Sequence, residues 1–168
     1  MSTSDNGFPW YALRIRARDA RATAEALHGK GHEVFLPLYV STRRWSDRIK
    51  EVKLPLFPGY LFCRLDTGKR LPVLVTPGVL HIVGTGKQPV PLDDGEIAAI
   101  QSIVASRLQA RPWPFLRVGQ RVRVERGPLS GMEGILISLK NDYRLVLSVT
   151  LLQRSVAVEV EGEWVDLK

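Results

Sequence analysis

The hydrophobic pattern of this chain changes character once, at Pro112-Trp113-Pro114. Ahead of that point, alternating runs that read as strands are interleaved with runs whose apolar residues recur every three to four positions. Behind it the apolar runs alternate or are rich in β-branched residues, and all of them are strand-like. A length of 168 residues holds one medium domain or two small ones. The break therefore predicts an α+β domain over residues 8–108, a linker over 109–116 and an all-β domain over 117–168.

In the first part, Trp10 to Arg16 reads as a strand, with Arg14 and Arg16 on one face. Asp19 is placed to cap a helix striped by Ala20, Ala24 and Leu27 and ended by Gly29 and Gly31. Val34 to Val40 is a strand interrupted by Pro37, hence near an edge. Ser41 to Lys53 is polar and strongly basic, and reads as a hairpin arm. Pro58 to Leu65 is a third strand, Arg70 to Val75 a short helix stopped by Pro77-Gly78, and Val79 to Val83 a fourth strand. Asp93 and Glu96 have capping-box spacing for a helix with Ile97, Ile100 and Val104 inward. Without a sustained βαβ repeat, these elements predict an antiparallel sheet with helices against it.

In the second part, Val122 and Val124 alternate with Arg121 and Arg123. Asn141-Asp142 turns between Ile135–Leu139 and Tyr143–Val149. Val156, Val158 and Val160 alternate, and Glu161-Gly162 leads into Trp164-Val165. Five short strands in this length imply a small closed barrel.

Several chemistries are argued against by the residues. Gly84-Thr85-Gly86-Lys87 lacks the earlier glycine and the following Ser or Thr of a phosphate loop, so it reads as a turn. His28 and His32 are four apart, but Gly29 and Gly31 break the helix that would align them on a metal. The one cysteine, Cys63, lies in an apolar strand, excludes an intrachain disulfide and reads as a small core residue. No catalytic constellation is recognisable, so no enzyme activity, cofactor or metal is expected. The first residues lack the basic and apolar regions of a leader, and the apolar stretch from Leu71 to Val83 is broken by Pro72, Pro77 and Gly78. A cytoplasmic monomer with no membrane contact is expected.

The net charge of +7 and pI near 9.9 favour a polyanionic neighbour. Residues 1–110 carry 15 Lys and Arg against 10 Asp and Glu, and residues 111–168 carry 9 against 7. A nucleic-acid contact is thus expected in the first part. Its best candidates are Arg43, Arg44, Arg48, Lys50 and Lys53 around Trp45, with Arg14, Arg16, Arg18 and Arg21 nearby in sequence. Interleaved cations and an indole suit phosphate contact with base stacking; a solvated hairpin tip is the alternative. Downstream, Tyr60 and Phe62 share a strand face with Phe57 at its entrance. Taken alone, these aromatics fill a core.

Two segments carry a resemblance. Trp10-Tyr11-Ala12-Leu13 followed by Leu56-Phe57-Pro58-Gly59-Tyr60-Leu61-Phe62 resembles the N-terminal domain of the NusG family of transcription elongation factors. Val118-Gly119-Gln120-Arg121-Val122-Arg123-Val124 with Gly127-Pro128-Leu129-Ser130-Gly131-Met132-Glu133-Gly134 resembles the KOW element, which opens a small SH3-like barrel. The resemblance implies a factor that modulates pausing or termination. Phe57, Pro58, Gly59, Tyr60 and Phe62 would line the apolar depression that receives the clamp helices of the largest RNA polymerase subunit. The basic residues would touch the non-template DNA strand at the transcription bubble. Gly127, Gly131 and Gly134 would supply the positive φ values and tight packing of the barrel corner. The barrel would bind a small-subunit ribosomal protein or the termination factor Rho.

The chain departs from the housekeeping NusG pattern at Leu129, where Phe is usual, and at Leu151–Val156, where a Phe-Gly-Arg loop is usual. These departures speak against Rho, and the first part looks more like a specialised RfaH-like paralogue. The valines from Val118 to Val165 nevertheless predict strands throughout the C-terminal part, with no helical hairpin masking the polymerase site. The rival reading, a KOW-containing ribosomal or rRNA-binding protein, explains charge and barrel but leaves the Phe-Pro-Gly-Tyr domain idle.

Overall fold

The computed structural model describes residues 7–166. Met1 to Asn6, which were read for a leader, and Leu167 and Lys168 lie outside the described residues. In chain order, β1 (Trp10–Ile15) leads to α1 (Ala20–Gly29) and β2 (Val34–Phe35). A hairpin follows, β3 (Leu38–Trp45) and β4 (Arg48–Pro55), then β5 (Tyr60–Arg64), the single turn α2 (Leu71–Leu74) and β6 (Val79–Ile82). The Gly84–Lys87 turn is flanked by β7 (Gly84–Thr85) and β8 (Gln88–Pro89), and α3 (Asp94–Ser106) comes next. The remaining strands are β9 (Ala110–Trp113), β10 (Gln120–Arg123), β11 (Glu133–Leu139), β12 (Asp142–Val149) and β13 (Arg154–Val160). The chain groups into two units: one runs up to Pro37 and resumes over Phe57–Asp94, the other takes Leu38–Leu56 and the residues from Gly95 onward.

In the first unit the sheet order is β2-β5-β1-β6, antiparallel throughout. Its odd-numbered β1 and β5 residues, Tyr11, Leu13, Ile15, Leu61 and Cys63, cluster with Ala20 and Leu27 of α1 and Val73 of α2. Burying each such Leu or Ile contributes roughly 1.5–3 kcal/mol. Helix α1 stops as its glycines predict. Gly31 has φ +93°, its N–H bonds the His28 carbonyl at 3.0 Å, and the His32 N–H reaches back to Leu27 at 3.2 Å, which is a Schellman ending.

In the second unit a five-stranded antiparallel sheet runs β10-β11-β12-β13-β9, and an isolated bridge joins Val124 to Val165. Leu145, Val146 and Leu147 are consecutive and all buried, so β12 is covered on both faces. Among the described residues the C-terminal part is strand-built, with no helical hairpin, as its valines predicted. The fifth strand differs from expectation: it comes from residues 109–116, read from sequence as the linker. Pro112 is opposite Val156 and Trp113 opposite Ser155. Pro112 is tolerated because β9 lies at the sheet edge, where a missing donor costs no ladder bond. Trp113 and Leu116 pack on Ile135, Val146 and Ala157. Buried Ser155 holds the segment further: its hydroxyl accepts the Leu116 N–H at 3.2 Å and lies 2.6 Å from Ser148 Oγ, which donates to the Leu116 carbonyl at 3.3 Å.

In α3 the buried stripe is Ile97, Ile100 and Ile103, while Val104, expected inward, is 37% exposed. Isoleucines three apart turn the stripe by one position. Glu96, read as a capping residue, accepts from Thr150 through both the backbone N–H at 3.2 Å and the hydroxyl at 2.7 Å.

Candidate functional site

Phe57-Pro58-Gly59-Tyr60 is a tight turn. The Phe57 carbonyl accepts the Tyr60 N–H at 3.0 Å and Gly59 has φ +84°, the geometry of a type II turn with Pro second and Gly third. The Gly59 carbonyl accepts the Ile15 N–H at 2.9 Å, which pins the turn to the end of β1. A Cβ on Gly59 would meet only the Arg14 guanidinium, the movable end of a long side chain, so it is the backbone angle that requires glycine.

From this turn β5 presents Tyr60, Phe62 and Arg64 on the face opposite α1. Register sets Arg14 beside Tyr60, Ala12 beside Phe62 and Trp10 beside Arg64. Each end of this face carries a cation over a ring: Arg14 lies 4.9 Å from the Tyr60 centroid and Arg64 lies 4.8 Å from that of Trp10. Between them Phe62 meets Phe57 edge to face at 5.3 Å and the tilted Phe35 at 6.1 Å. Arg64 also donates to the Phe8 carbonyl at 2.6 Å and pairs with Glu33 at 3.3 Å.

The five residues grouped as a contact surface therefore divide. Phe57 is 1% and Phe62 0% exposed, and Gly59 is buried, so these three are core. Pro58 is exposed and Tyr60 half-buried. Phe62 shares a face with Tyr60 but packs against Phe57 and Phe35, so alternation does not expose it. Arg64 was absent from the sequence-derived set, although its period-two spacing from Tyr60 and Phe62 marks it.

The basic group divides too. Arg14 is half-buried over Tyr60, apart from the exposed Arg16, Arg18 and Arg21. In the hairpin, Arg43 pairs with Lys50, Arg44 with Ile49, Trp45 with Arg48 and Val40 with Lys53. All five hairpin cations are exposed. At the foot of the hairpin lies a groove of about 540 Å³, lined by Leu38, Tyr39, Val40, Leu56, Val104 and Leu108 among others. Sequence reasoning missed it, and exposed Val40 and Val104 are its only signal.

At the barrel corner Gly127 and Gly131 have φ +87° and +90°. The Gly131 N–H donates to the Val124 carbonyl at 2.7 Å, and Leu129 is buried beneath the turn. Gly134 does not share the positive φ expected of it. Its missing side chain instead makes room for β12, since a Cβ there would stand 2.8 Å from the Val146 carbonyl oxygen.

The family model described as transcription termination factor nusG matches residues 8–101, more than half of the chain. The chain belongs to the NusG family. Among curated relatives, the transcription termination/antitermination protein NusG of Thermus thermophilus is 28% identical over 90% of this chain and 94% of its own length. That of Lactococcus lactis is 32% identical over 90% and 89%. The solved structure of Thermotoga maritima NusG covers 96% of this chain with a TM-score of 0.60 at 20% identity, a likeness of fold. The family model stops within α3, whereas the NusG relatives extend over both parts of the chain. These relatives are transcription factors and not enzymes. No helix among the described residues is long and apolar enough to cross a membrane.

Proposed function

We propose that this chain is a transcription termination/antitermination factor of the NusG family that rides on RNA polymerase and acts in the cytoplasm as a monomer. The observation that carries the polymerase reading is the rigid type II turn. It holds Pro58 in solvent and Tyr60 half-buried at the edge of a fixed aromatic core. Pro58 and Tyr60 make the contact with the clamp helices, and Phe57 and Phe62 are the platform beneath them. The exposed hairpin reaches the non-template strand at the bubble. The barrel recruits a small-subunit ribosomal protein; Leu129, buried under its turn, and the Leu151–Val156 segment argue against Rho and for an RfaH-like paralogue.

Co-purification with polymerase at moderate salt tests the contact. Tyr60→Ala removes an interfacial aromatic, and such anchors often cost about 2 kcal/mol or more, roughly thirtyfold in affinity. The variant is expected to stay folded and lose polymerase. A folded Tyr60→Ala protein that binds normally would remove the turn from the interface. The ribosomal alternative is tested in the same lysate, by salt-sensitive sedimentation with ribosomal subunits in place of polymerase.

A further inference from the structure

The hairpin has two chemically different faces. In an antiparallel pair, residues directly opposite share a face, and faces alternate along each strand. The register therefore sets Arg43, Trp45, Arg48 and Lys50 together on one face of the outer hairpin. The other face carries Thr42, Arg44, Ile49 and Glu51, with Lys53 nearer the foot opposite Val40. The first face thus holds three cations and an indole and no acid. On the second, Glu51 offsets Arg44. The one acid near the tip, Asp47, lies in the turn between the strands. Trp45 is 63% exposed, an unusual cost in solvated apolar surface for a ring that packs into no core.

We propose that the Arg43–Trp45–Arg48–Lys50 face is a one-sided platform for single-stranded DNA. An unpaired base stacks on Trp45, and the three cations take the phosphates on either side of it. A duplex hides its base faces in the stack and offers Trp45 nothing, so the platform selects unpaired strand. Recognition is tolerant of sequence, because every base has a π face. Arg44 and Lys53, on the opposite side, take no part. This inference rests on the reading of the hairpin as a nucleic-acid contact and narrows it to one face and one strand state.

The test is binding of the full chain to a fluorescein-labelled single strand of mixed sequence, titrated with salt, beside the same sequence as a duplex. Trp45→Ala is expected to weaken single-strand binding about five- to hundredfold, while Trp45→Phe retains most of it. Arg43→Ala, Arg48→Ala and Lys50→Ala should each lower the salt slope by about 0.7. Arg44→Ala and Lys53→Ala should leave it unchanged. Quenching of indole emission by the strand should vanish in Trp45→Phe. The sites are solvent-exposed, and a thermal unfolding trace for each variant verifies the fold. If Arg44→Ala and Lys53→Ala cost as much as Arg43→Ala, the one-faced platform is overturned and a general hairpin contact survives. If no hairpin variant changes binding, both are overturned. Equal binding of duplex and single strand, with no Trp45 dependence, also overturns the platform.

Discussion

The guanidinium carbon of Arg14 stands 4.9 Å from the centroid of the Tyr60 ring, the two residues being direct partners across β1 and β5. A cation in that position is worth about 0.5–2 kcal/mol, depending on how far it is desolvated. Arg14→Ala should accordingly lower stability by about 1 kcal/mol in urea unfolding and leave the salt dependence of DNA binding unaltered. A slope reduced by about 0.7 would return Arg14 to the phosphate-binding group.

Phe57 and Phe62 are both buried and pack edge to face. Phe57→Ala should cost about 3–5 kcal/mol, enough to unfold much of a marginally stable domain near body temperature. Phe57→Leu keeps most of the volume and should cost distinctly less. Circular dichroism melts of the pair decide the matter: equal, small losses for both would mean that Phe57 is a surface anchor.

A fragment beginning at Gln109 should fold more stably than one beginning at Arg117. The shorter piece lacks β9, the cover that Trp113 gives to Ile135, Val146 and Ala157, and the Leu116 bonds to Ser148 and Ser155. Both should give β-type spectra if the barrel folds alone, with the longer one melting higher. Matching melting temperatures would show that the edge strand contributes nothing.

Gly127→Ala and Gly131→Ala should differ in cost although their φ values agree. Alanine in the left-handed region costs roughly 1–2 kcal/mol at either position. Around Gly131 the space is open, whereas a Cβ on Gly127 would stand 2.8 Å from the Trp164 ring. Overpacking adds typically about 1–3 kcal/mol at Gly127 alone. Equal destabilisation of the two variants would remove Trp164 from the account.

Much of this was legible in the sequence because local chemistry and tertiary context agree there. The glycines that end α1 and the basic hairpin reappear as read, and β1, β5 and β13 reappear as strands, each covered on both faces. The misreadings arise where one residue type serves two physical ends. Proline breaks a helix but also suits a sheet edge, so Pro112 marked a linker where β9 runs. Alternation assigns Tyr60 and Phe62 to one face without saying how deeply each is covered. The glycine in Gly134 satisfies close approach in place of a positive φ, and a string of letters does not separate the two. Arg14 read as one more cation because its stacking partner lies 46 positions away.

The edge strand β9 bears on how the chain meets proteases. Most proteolytic enzymes draw their substrate into the cleft as an added strand, and a true Pro-rich connector would offer itself freely. Here the backbone of Ala110–Trp113 is already laid along β13, and Leu116 is clasped by two serines. A broad-specificity protease therefore finds the middle of the sequence closed. Among the described residues, the exposed Ser46-Asp47 turn between β3 and β4 offers such an enzyme a more open entry.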